Sequence, residues 1–391
     1  MSKLVPKLRF KEFSGEWEEK ELNEISKFIT EKIQLSKLSL NNYISTENIL
    51  ANFGGINKSS KLPNIKNVTK FKMYDILMSN IRPYLKKIWL AYIEGGASND
   101  IIIMRAKDDN NYKFLFYTVQ NDKFIDYVMQ GAKGVKMPRG DIVLIKKYSI
   151  SLPTPKEQQK IANTLSSLDS LIEAQQRKVE ALKKHKKGLM QQLFPSDGEN
   201  EPKLRFKEFS GEWEEKEIGD LFHITRGNVL SMQLVQEKQT KDNVYPVYSS
   251  QTKDNGLAGY YSEYLFENAI TWTTDGANAG DVNYRKGKFY CTNVCGVLLS
   301  EEGYANQFVA ELLNTKTHKH VSYVGNPKLM NGVMSKITIQ IPPDKEKQEQ
   351  QKIANTLSSL DNLIEAQQRK VEALQKHKKG LMQQMFVSGE D

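Results

Sequence analysis

Cationic, amide and aromatic side chains cluster in four short segments, two in each half of the chain. Arginine, lysine and asparagine donate hydrogen bonds to phosphates and to the edges of guanine and adenine. This mixture therefore predicts nucleic-acid contact, although each residue taken singly is more typical of a solvated surface charge. The candidate DNA contacts are Asn80, Arg82, Tyr84, Lys86, Lys87, Lys133, Lys136, Arg139, Asn283, Tyr284, Arg285, Lys286, Lys288, Asn326, Lys328 and Asn331.

Sequence signals for catalysis are missing. There is no G-x-x-x-x-G-K-[ST] phosphate loop and no G-x-G-x-x-G motif. The pair Cys291 and Cys295 lacks the further ligands of a zinc site, so we predict two buried thiols. His318 and His320 likewise lack an obvious third ligand. We therefore expect no catalytic residue, no metal and no cofactor in this chain.

Two blocks of sequence occur twice. Residues 6–21 recur unchanged at 202–217, and we call these two stretches the lead segments. Residues 157–194 recur at 349–386 with only three differences. The stretches between the blocks share little sequence. The blocks recur at offsets of 196 and 192 residues, so this is a duplicated domain and not a solenoid unit of about 20–50 residues. Identical frames around unlike middles indicate two readers of different objects.

The longer repeated block has the apolar spacing of a coiled-coil helix, with steps that alternate between four and three residues. A block of 38 residues spans roughly 57 Å as a helix. Thr154, Pro155 and Glu157 form a typical helix start, and Asp344 is a plausible cap for the second helix. The predicted seam residues are Ile161, Leu165, Leu168, Ile172, Val179, Leu182, Leu189, Ile353, Leu357, Leu360, Ile364, Val371, Leu374 and Leu381.

Each seam needs a partner, and its own copy in the same chain is the favoured one. An intermolecular dimer through the same seam is the alternative. The seam residues leave the direction of pairing open. An antiparallel pair would give the chain approximate twofold symmetry and would place the two variable segments at opposite ends of a rod.

The variable segments mix strand-like and helix-like stretches. Residues 75–80, 87–93, 100–106 and 147–153 read as strands of the first segment, and 112–130 reads as a helix. In the second segment 269–274, 288–300 and 336–342 read as strands, and 306–319 as a helix. We predict an α+β protein: two similar mixed α/β domains separated by a pair of long coiled-coil helices with pseudo-twofold symmetry. The predicted divisions are a first variable domain (1–156), a first long helix (157–194), a linker (195–203), a second variable domain (204–348) and a second long helix with its tail (349–391).

Charge and hydropathy limit the partners and the cellular location that the sequence predicts. The net charge is +9, most of it in the first variable segment, while the second is neutral. Charge alone therefore supports a polyanionic partner only weakly. No apolar run approaches the ~18–20 residues of a membrane span, and the N-terminus lacks a signal-peptide pattern. We expect a cytoplasmic protein without membrane contact.

The chain resembles the specificity (S) subunits of type I restriction–modification enzymes. The resemblance covers nearly the whole chain and rests on the duplicated W-x-x-K-E-[LI] motifs at 17–22 and 213–218. It also rests on E-Q-x-K-I-A-x-x-L-x-x-L-D, which occurs at 157–169 and 349–361. The resemblance implies that each variable domain is a target-recognition domain for one half of a split double-stranded DNA sequence, with the helices as a ruler across an unread spacer.

The resemblance also implies partners. Two modification (M) subunits would bring S-adenosylmethionine and methylate adenine, and two restriction (R) subunits would use ATP and Mg to translocate and cut DNA. We expect Phe13, Trp17, Phe209 and Trp213 to contact the M subunits, although these aromatics also suit a core. The alternative function is a coiled-coil adaptor whose globular domains bind proteins. A stand-alone nuclease or methyltransferase is disfavoured by the missing motifs.

Overall fold

The computed structural model describes residues 4–107, 109–250, 253–343 and 347–387, with the backbone alone at 253 and 254. The chain forms two compact units, one of Met1–Arg177 with Gln368–Asp391 and the other of Lys178–Gln367. Each unit therefore contains one variable segment and one half of each long helix. The predicted α+β class is confirmed. The predicted cap Asp344 lies outside the described residues.

The first unit combines small sheets with short helices. Strand β1 pairs antiparallel with β10, and the remaining strands form two sheets in the orders β2-β9-β6-β7 and β3-β5-β8-β4. The strands are β1 Glu18–Glu21, β2 Ser26–Phe28, β3 Lys32–Gln34, β4 Tyr43–Ile44, β5 Asn67–Phe71, β6 Ile76–Ser79, β7 Ile88–Leu90, β8 Gly95–Ala97, β9 Ile101–Ala106 and β10 Ser149–Leu152. The short helices are α1 Leu22–Ile25, α2 Tyr112–Val119, α3 Asp122–Gln130 and α4 Ile142–Lys146.

The core of the first unit explains two features of its sequence. Strands β6 and β9 are apolar along most of their length because both faces are covered, and residues of both contribute to two separate core clusters. The stretch 112–130 was predicted as one helix, and the structure corrects this to two. Asn121 interrupts the helix because its side chain accepts a hydrogen bond from the amide of Phe124, at 2.8 Å, and caps α3.

The second unit has a larger sheet, in the order β12-β17-β15-β16-β13-β14, and a separate antiparallel pair of β11 with β18. Its strands are β11 Glu214–Glu217, β12 His223–Arg226, β13 Tyr245–Tyr248, β14 Leu257–Tyr261, β15 Phe266–Thr273, β16 Val282–Cys291, β17 Cys295–Leu299 and β18 Thr338–Ile341. Its short helices are α6 Ile218–Leu221, α7 Gln307–Asn314 and α8 Asn331–Met334.

The stretch 288–300 was predicted as a single strand, but the chain reverses within it. The amide of Cys295 donates to the carbonyl of Thr292 at 3.0 Å, so that β16 ends and β17 begins at this turn. Cys291 and Cys295 flank the turn as free, buried thiols, as the sequence predicted.

The long helices are α5 Pro155–Leu193 and α9 Gln348–Met385, and they run antiparallel in both units. In the first unit Ile161 and Leu165 share a core cluster with Met385. In the second unit Leu193 shares one with Ile353 and Leu357. Every predicted seam residue is buried or half-buried, so the apolar seam is covered within the chain.

Candidate nucleic-acid interface

The lead segments fasten the start of a long helix in each unit through one bidentate ion pair. Arg9 donates from Nε and Nη2 to the two carboxylate oxygens of Glu157, both at 2.8 Å. Arg205 makes the same two bonds to Glu349, also at 2.8 Å. Both carboxylates are buried, and the hydrogen bond with Glu157 raises the pKa of Arg9 above its ordinary value. We call these two ion pairs the clamps.

Each lead segment also binds the end of the other long helix. The amide of Leu8 donates to the carbonyl of Gln384, and the amide of Leu204 donates to that of Gln192, both at 2.9 Å. The N-terminus of one helix and the C-terminus of its partner are therefore joined twice, by the same residues in each unit. This common frame leaves the variable segments free to differ.

The predicted partner-contact aromatics divide into two groups. Trp17 and Trp213 are only 3% and 2% exposed and lie in core clusters, beside Phe114 and Phe308 respectively. Their position fits the alternative reading of core residues. Both indole Nε1 atoms are buried without a hydrogen-bond partner among the described residues. Phe13 and Phe209 are half-buried, and their contact with a partner stays a prediction.

Each unit projects a short hairpin loop, at residues 133–139 between α3 and α4 in the first unit and at residues 322–328 between α7 and α8 in the second. Lys133 and Arg139 exchange two backbone hydrogen bonds of 2.9 Å across the base of the first loop. Ser322 and Lys328 exchange the same two bonds, also at 2.9 Å, in the second. We call these the reading loops.

The reading loops are held against a second backbone segment in each unit. The amide of Arg82 donates to the carbonyl of Pro138 at 2.8 Å, and the amide of Gly276 donates to the carbonyl of Pro327 at 3.0 Å. Arg139 lies 3.0 Å from Asp100, and Lys328 lies 3.6 Å from Asp275. The same arrangement therefore occurs twice, although the two loops share only a valine, the proline and the cation in sequence.

In the first unit the structure brings the two predicted clusters together. The amide of Gly140 donates to the carbonyl of Asn80 at 3.4 Å, beside the Arg82–Pro138 bond. Buried polar atoms at this junction, the Asn80 Oδ1 and the Arg82 Nε, have no hydrogen-bond partner among the described residues. Tyr84, Lys133, Lys136 and Arg139 are exposed around it. The surface therefore offers amide and guanidinium groups next to the reading loop.

Lys86 and Lys87 are directed inward. Lys86 pairs with Asp122 at 2.6 Å, and the pair lines a cleft of about 1550 Å³ between the first variable segment and the long helices. The hydrogen bond from Lys86 lowers the pKa of Asp122 below its usual range. Lys87 donates to the carbonyl of Thr46 at 2.8 Å. Both lysines have internal partners, and DNA contact by either would require exchanging them.

In the second unit the predicted clusters lie apart. Asn326 and Lys328 belong to the reading loop, which contacts Asp275 and Gly276 through Lys328 and Pro327. Lys286 and Lys288 are at the opposite end of the β15–β16 hairpin. Lys288 is exposed and lies 4.4 Å from the ring centre of Tyr264. Asn283 and Tyr284 are half-buried on β16, and Asn331 begins α8.

Arg285 is corrected from a surface residue to a core residue. It is 8% exposed, and its guanidinium lies 3.7 Å from the ring centre of Tyr248. It also donates to Thr271 Oγ1 at 3.0 Å and to the carbonyl of Asn255 at 2.7 Å. Burial lowers the pKa of this side chain. Arg285 therefore ties the strands together from inside.

Sequence reasoning missed the apolar residues at the tips of the reading loops and their support. Val135 and Val324 are 103% and 90% exposed. Asp275 and Gly276, which support the second loop, were not among the predicted contact residues. The signal was present, because aligning Pro138 with Pro327 also aligns Val135 with Val324 and Arg139 with Lys328.

No group of three or more His, Cys, Asp or Glu side chains that could hold a metal occurs among the described residues. His318 lies 3.3 Å from Asp281 at the surface of the second unit, and burial raises the pKa of that carboxyl. Within the described ranges, the helices lack the length and apolar character that a membrane span needs.

Two repeated frames that carry unlike loops and share long paired helices define a two-domain recognition protein. The family described as Type I restriction modification DNA specificity domain matches residues 14–184 and again 210–376. The chain belongs to this family. Its role is therefore that of the non-catalytic component of a type I restriction–modification system, which recognises DNA sequence and assembles with other subunits.

Individual relatives support this family assignment. Over 145 residues the chain is 39% identical to the N-terminus of a putative type I specificity subunit of Mycoplasma pneumoniae, covering 36% of this chain and 74% of that protein. The specificity subunit of the type I restriction enzyme MpnII, from the same organism, is 33% identical over 150 residues, or 38% of this chain and 43% of that protein. The crystal structure of a type I S subunit from M. genitalium shares the fold, with a TM-score of 0.67, 17% identity and coverage of 99% and 100%.

Proposed function

We propose that the chain recognises a bipartite double-stranded DNA target, with one half read by each variable segment. The observation that supports this proposal is the contrast between the repeated contacts that hold each unit together and the differing surfaces of the variable segments. Clamps, lead segments and reading-loop backbones repeat bond for bond, while the sheets and the side chains around the loops differ. Two equal frames with different surfaces suit two different half-sites. An adaptor that binds two equal protein partners would have no need for unlike surfaces.

The chemistry is assigned to partner subunits. We propose that two M subunits supply S-adenosylmethionine and methylate adenine, and that two R subunits use ATP and Mg for restriction. The outer faces of the long helices are basic and repeated, with Arg177 and Lys178 exposed on α5 and Arg369 and Lys370 exposed on α9. Identical surfaces support binding of two identical M subunits. One M subunit per chain at saturation in native mass spectrometry would contradict this stoichiometry.

A domain exchange tests the bipartite target. Residues 22–153 are replaced by the corresponding segment of another specificity subunit, which leaves the lead segment and Glu157 in place and preserves the clamp. Methylated positions are then mapped by whole-genome sequencing of cells that also express the M subunit. We expect one half of the methylated sequence to change and the other half to persist. A simultaneous change of both halves would refute reading by separate domains.

The matched exchange of residues 218–341 should change the other half of the site. It spans α6 to β18 and spares Arg205 and Glu349. A chain with both exchanges should acquire both new half-sites. Loss of methylation with the complex still assembled would indicate that the exchanged segments do not act independently.

A further inference from the structure

The two reading loops share a feature that reading different sequences does not explain. Val135 and Val324 occupy the same position relative to Pro138 and Pro327, and both are almost completely exposed. Each has an apolar neighbour or near neighbour that is also exposed, Met137 at 48% and Tyr323 at 68%. Elsewhere the variable segments differ widely, so a shared apolar tip indicates a task common to both half-sites.

The tips are presented on a stiff support. Both loops are closed by paired backbone hydrogen bonds at the base and are anchored sideways through Pro138 and Pro327. The tight turns are permitted by Gly134 at φ +97° and Gly325 at φ +81°, values that favour glycine. A short loop held in this way can transmit force to whatever the valine touches.

The surroundings of the tips favour DNA over a protein groove. Arg139 and Lys328 stand at equivalent positions at the loop bases, each exposed by more than half and each beside one carboxylate. Lys133 and Lys136 add exposed cations to the first loop. A cation at the base and an apolar side chain at the tip match a phosphate backbone that borders a groove. Apolar side chains inserted between base steps from the minor groove kink the duplex.

We propose that Val135 and Val324 are wedges that enter the minor groove of each half-site and partly unstack one base step. The wedges deepen the proposed DNA recognition and depend on it. Sequence choice then belongs to the differing side chains of each unit, and the shared valines deform the DNA in the same way at both half-sites. Deformation of this kind brings a longer stretch of duplex against each unit.

The test uses the full chain assembled with its M subunits and a duplex that carries the mapped target and a dye at each end. The variants are V135S, V324S and the double variant. Matched controls are V143S on α4 and V229S after β12, whose valines are 66% and 79% exposed. Energy transfer between the dyes reports the bend, and titration reports the affinity at a fixed salt concentration. 2-Aminopurine placed at successive positions of each half-site reports local unstacking.

We expect wild-type protein to bend the duplex by ~20° or more per half-site. V135S should remove the bend and the 2-aminopurine signal at one half-site only, V324S at the other only, and each should weaken binding roughly ten-fold. V143S and V229S should match wild type. Unchanged bend and unstacking in the tip variants would overturn the wedges, whether or not affinity falls. The wedges would also be overturned if the V135S or V324S complex lost M subunits while the DNA that remained bound was bent as in wild type. Failure of the wild-type complex to bind its mapped target would overturn the proposed function itself.

Discussion

The ammonium group of Lys186 on α5 lies 2.8 Å from a carboxylate oxygen of Asp361 on α9. The equivalent pair, Lys378 and Asp169, is 2.6 Å apart in the other unit. Both lysines occupy seam positions that an uninterrupted coiled coil would fill with apolar residues. Polar seam residues of this kind specify register at some cost in stability. Exchanging the two repeated helices converts one ion pair into the other, so both pairs specify the same antiparallel alignment.

The two seam lysines should contribute unequally to stability. Lys186 also lies 2.9 Å from Glu311, whose side chain is 9% exposed. Burial lowers the pKa of Lys186, but hydrogen bonds with Asp361 and Glu311 outweigh it and raise the value overall. K186M should therefore cost roughly 3 kcal/mol, because the buried Glu311 carboxylate loses its cation and keeps only the 3.0 Å hydrogen bond from Gln307.

For K378M we expect about 1 kcal/mol, because Asp169 is more exposed and keeps its 2.7 Å hydrogen bond from Tyr117. Urea unfolding, followed by hydrogen exchange in each unit, measures both. The double variant K186M/E311L should recover most of the loss. Equal losses for K186M and K378M would show that Glu311 is irrelevant to the pair.

The clamps should be the most sensitive polar contacts of the frame. R9A leaves the buried Glu157 carboxylate without its bidentate partner, which should destabilise the first unit by roughly 3 kcal/mol. R205A should have the same effect on the second unit, because its bonds to Glu349 have the same lengths. R177A, which removes an exposed guanidinium 3.8 Å from Glu173, is the control and should cost no more than about 0.5 kcal/mol.

Unit-specific hydrogen exchange separates the two clamp effects. R9A should speed exchange in the amides of α2 and the start of α5, and R205A in those of α7 and the start of α9. The idea fails if R9A is as mild as R177A, or if each variant loosens both units equally. Adding E157Q to R9A should recover part of the loss, because a buried neutral amide costs less than a buried charge.

The sequence predicts well those features that depend on residues close together in the chain. The helix boundaries at Pro155 and Leu193 and the burial of Leu165 and Leu357 follow from the apolar period and from a proline at the first helical position. The apolar period can be read from the 38 residues of the repeated block alone. The clamp is different, because Arg9 and Glu157 are 148 residues apart and nothing in the spacing links them.

Several misread elements depend on tertiary contacts in the same way. Glu157 looked like one half of a capping box, whereas the fold directs both its carboxylate oxygens to Arg9. Arg285 has the composition of a surface cluster but turns inward onto Tyr248. The reading loops were recognised by their cations, and the valines at their tips were overlooked because only an alignment of the two loops on Pro138 and Pro327 pairs them.

Alkaline pH should weaken the first unit through Tyr148. Burial raises the pKa of its phenol to about 12. The unfolded chain releases this proton near pH ~10. Between these two values the folded state holds more protons than the unfolded state, so stability falls as pH rises. The ring is half-buried and partly screened by solvent, so we expect a loss on the order of 1 kcal/mol.

Y148F removes the ionisable group and keeps the ring against Phe124, 5.0 Å away between centroids. Urea unfolding at pH 9, 10, 11 and 12 should show a shallower decline for Y148F than for wild type. Y264F, at an exposed ring in the other unit, is the matched control and should decline as wild type does. Parallel curves for Y148F and wild type would exclude Tyr148 as the group responsible.

The last prediction concerns the helices as a ruler between half-sites. The ion pairs Asp169–Lys378 and Lys186–Asp361 enclose residues 170–185 of α5 and residues 362–377 of α9, sixteen residues in each helix. Removing residues 179–185 together with 362–368 deletes one heptad from each helix between the two ion pairs and spares Arg177, Lys178, Arg369 and Lys370. Both ion pairs and the seam phase then survive, whereas a heptad removed nearer the helix starts would take Asp169 and Asp361 with it.

Seven residues of helix are ~10 Å, equivalent to about three base pairs of DNA. Rotation around the duplex can absorb part of this change, so we expect a methylated site whose spacer is about one to three base pairs shorter, with both half-site sequences unchanged. Methylation mapping in cells measures the spacer directly. A control deletion of 179–185 alone breaks the alignment of the ion pairs and should abolish methylation. If the variant with both deletions methylates the original spacer, the helices hold the two units together without measuring DNA, because a ruler shortened by a full heptad has to report a shorter distance.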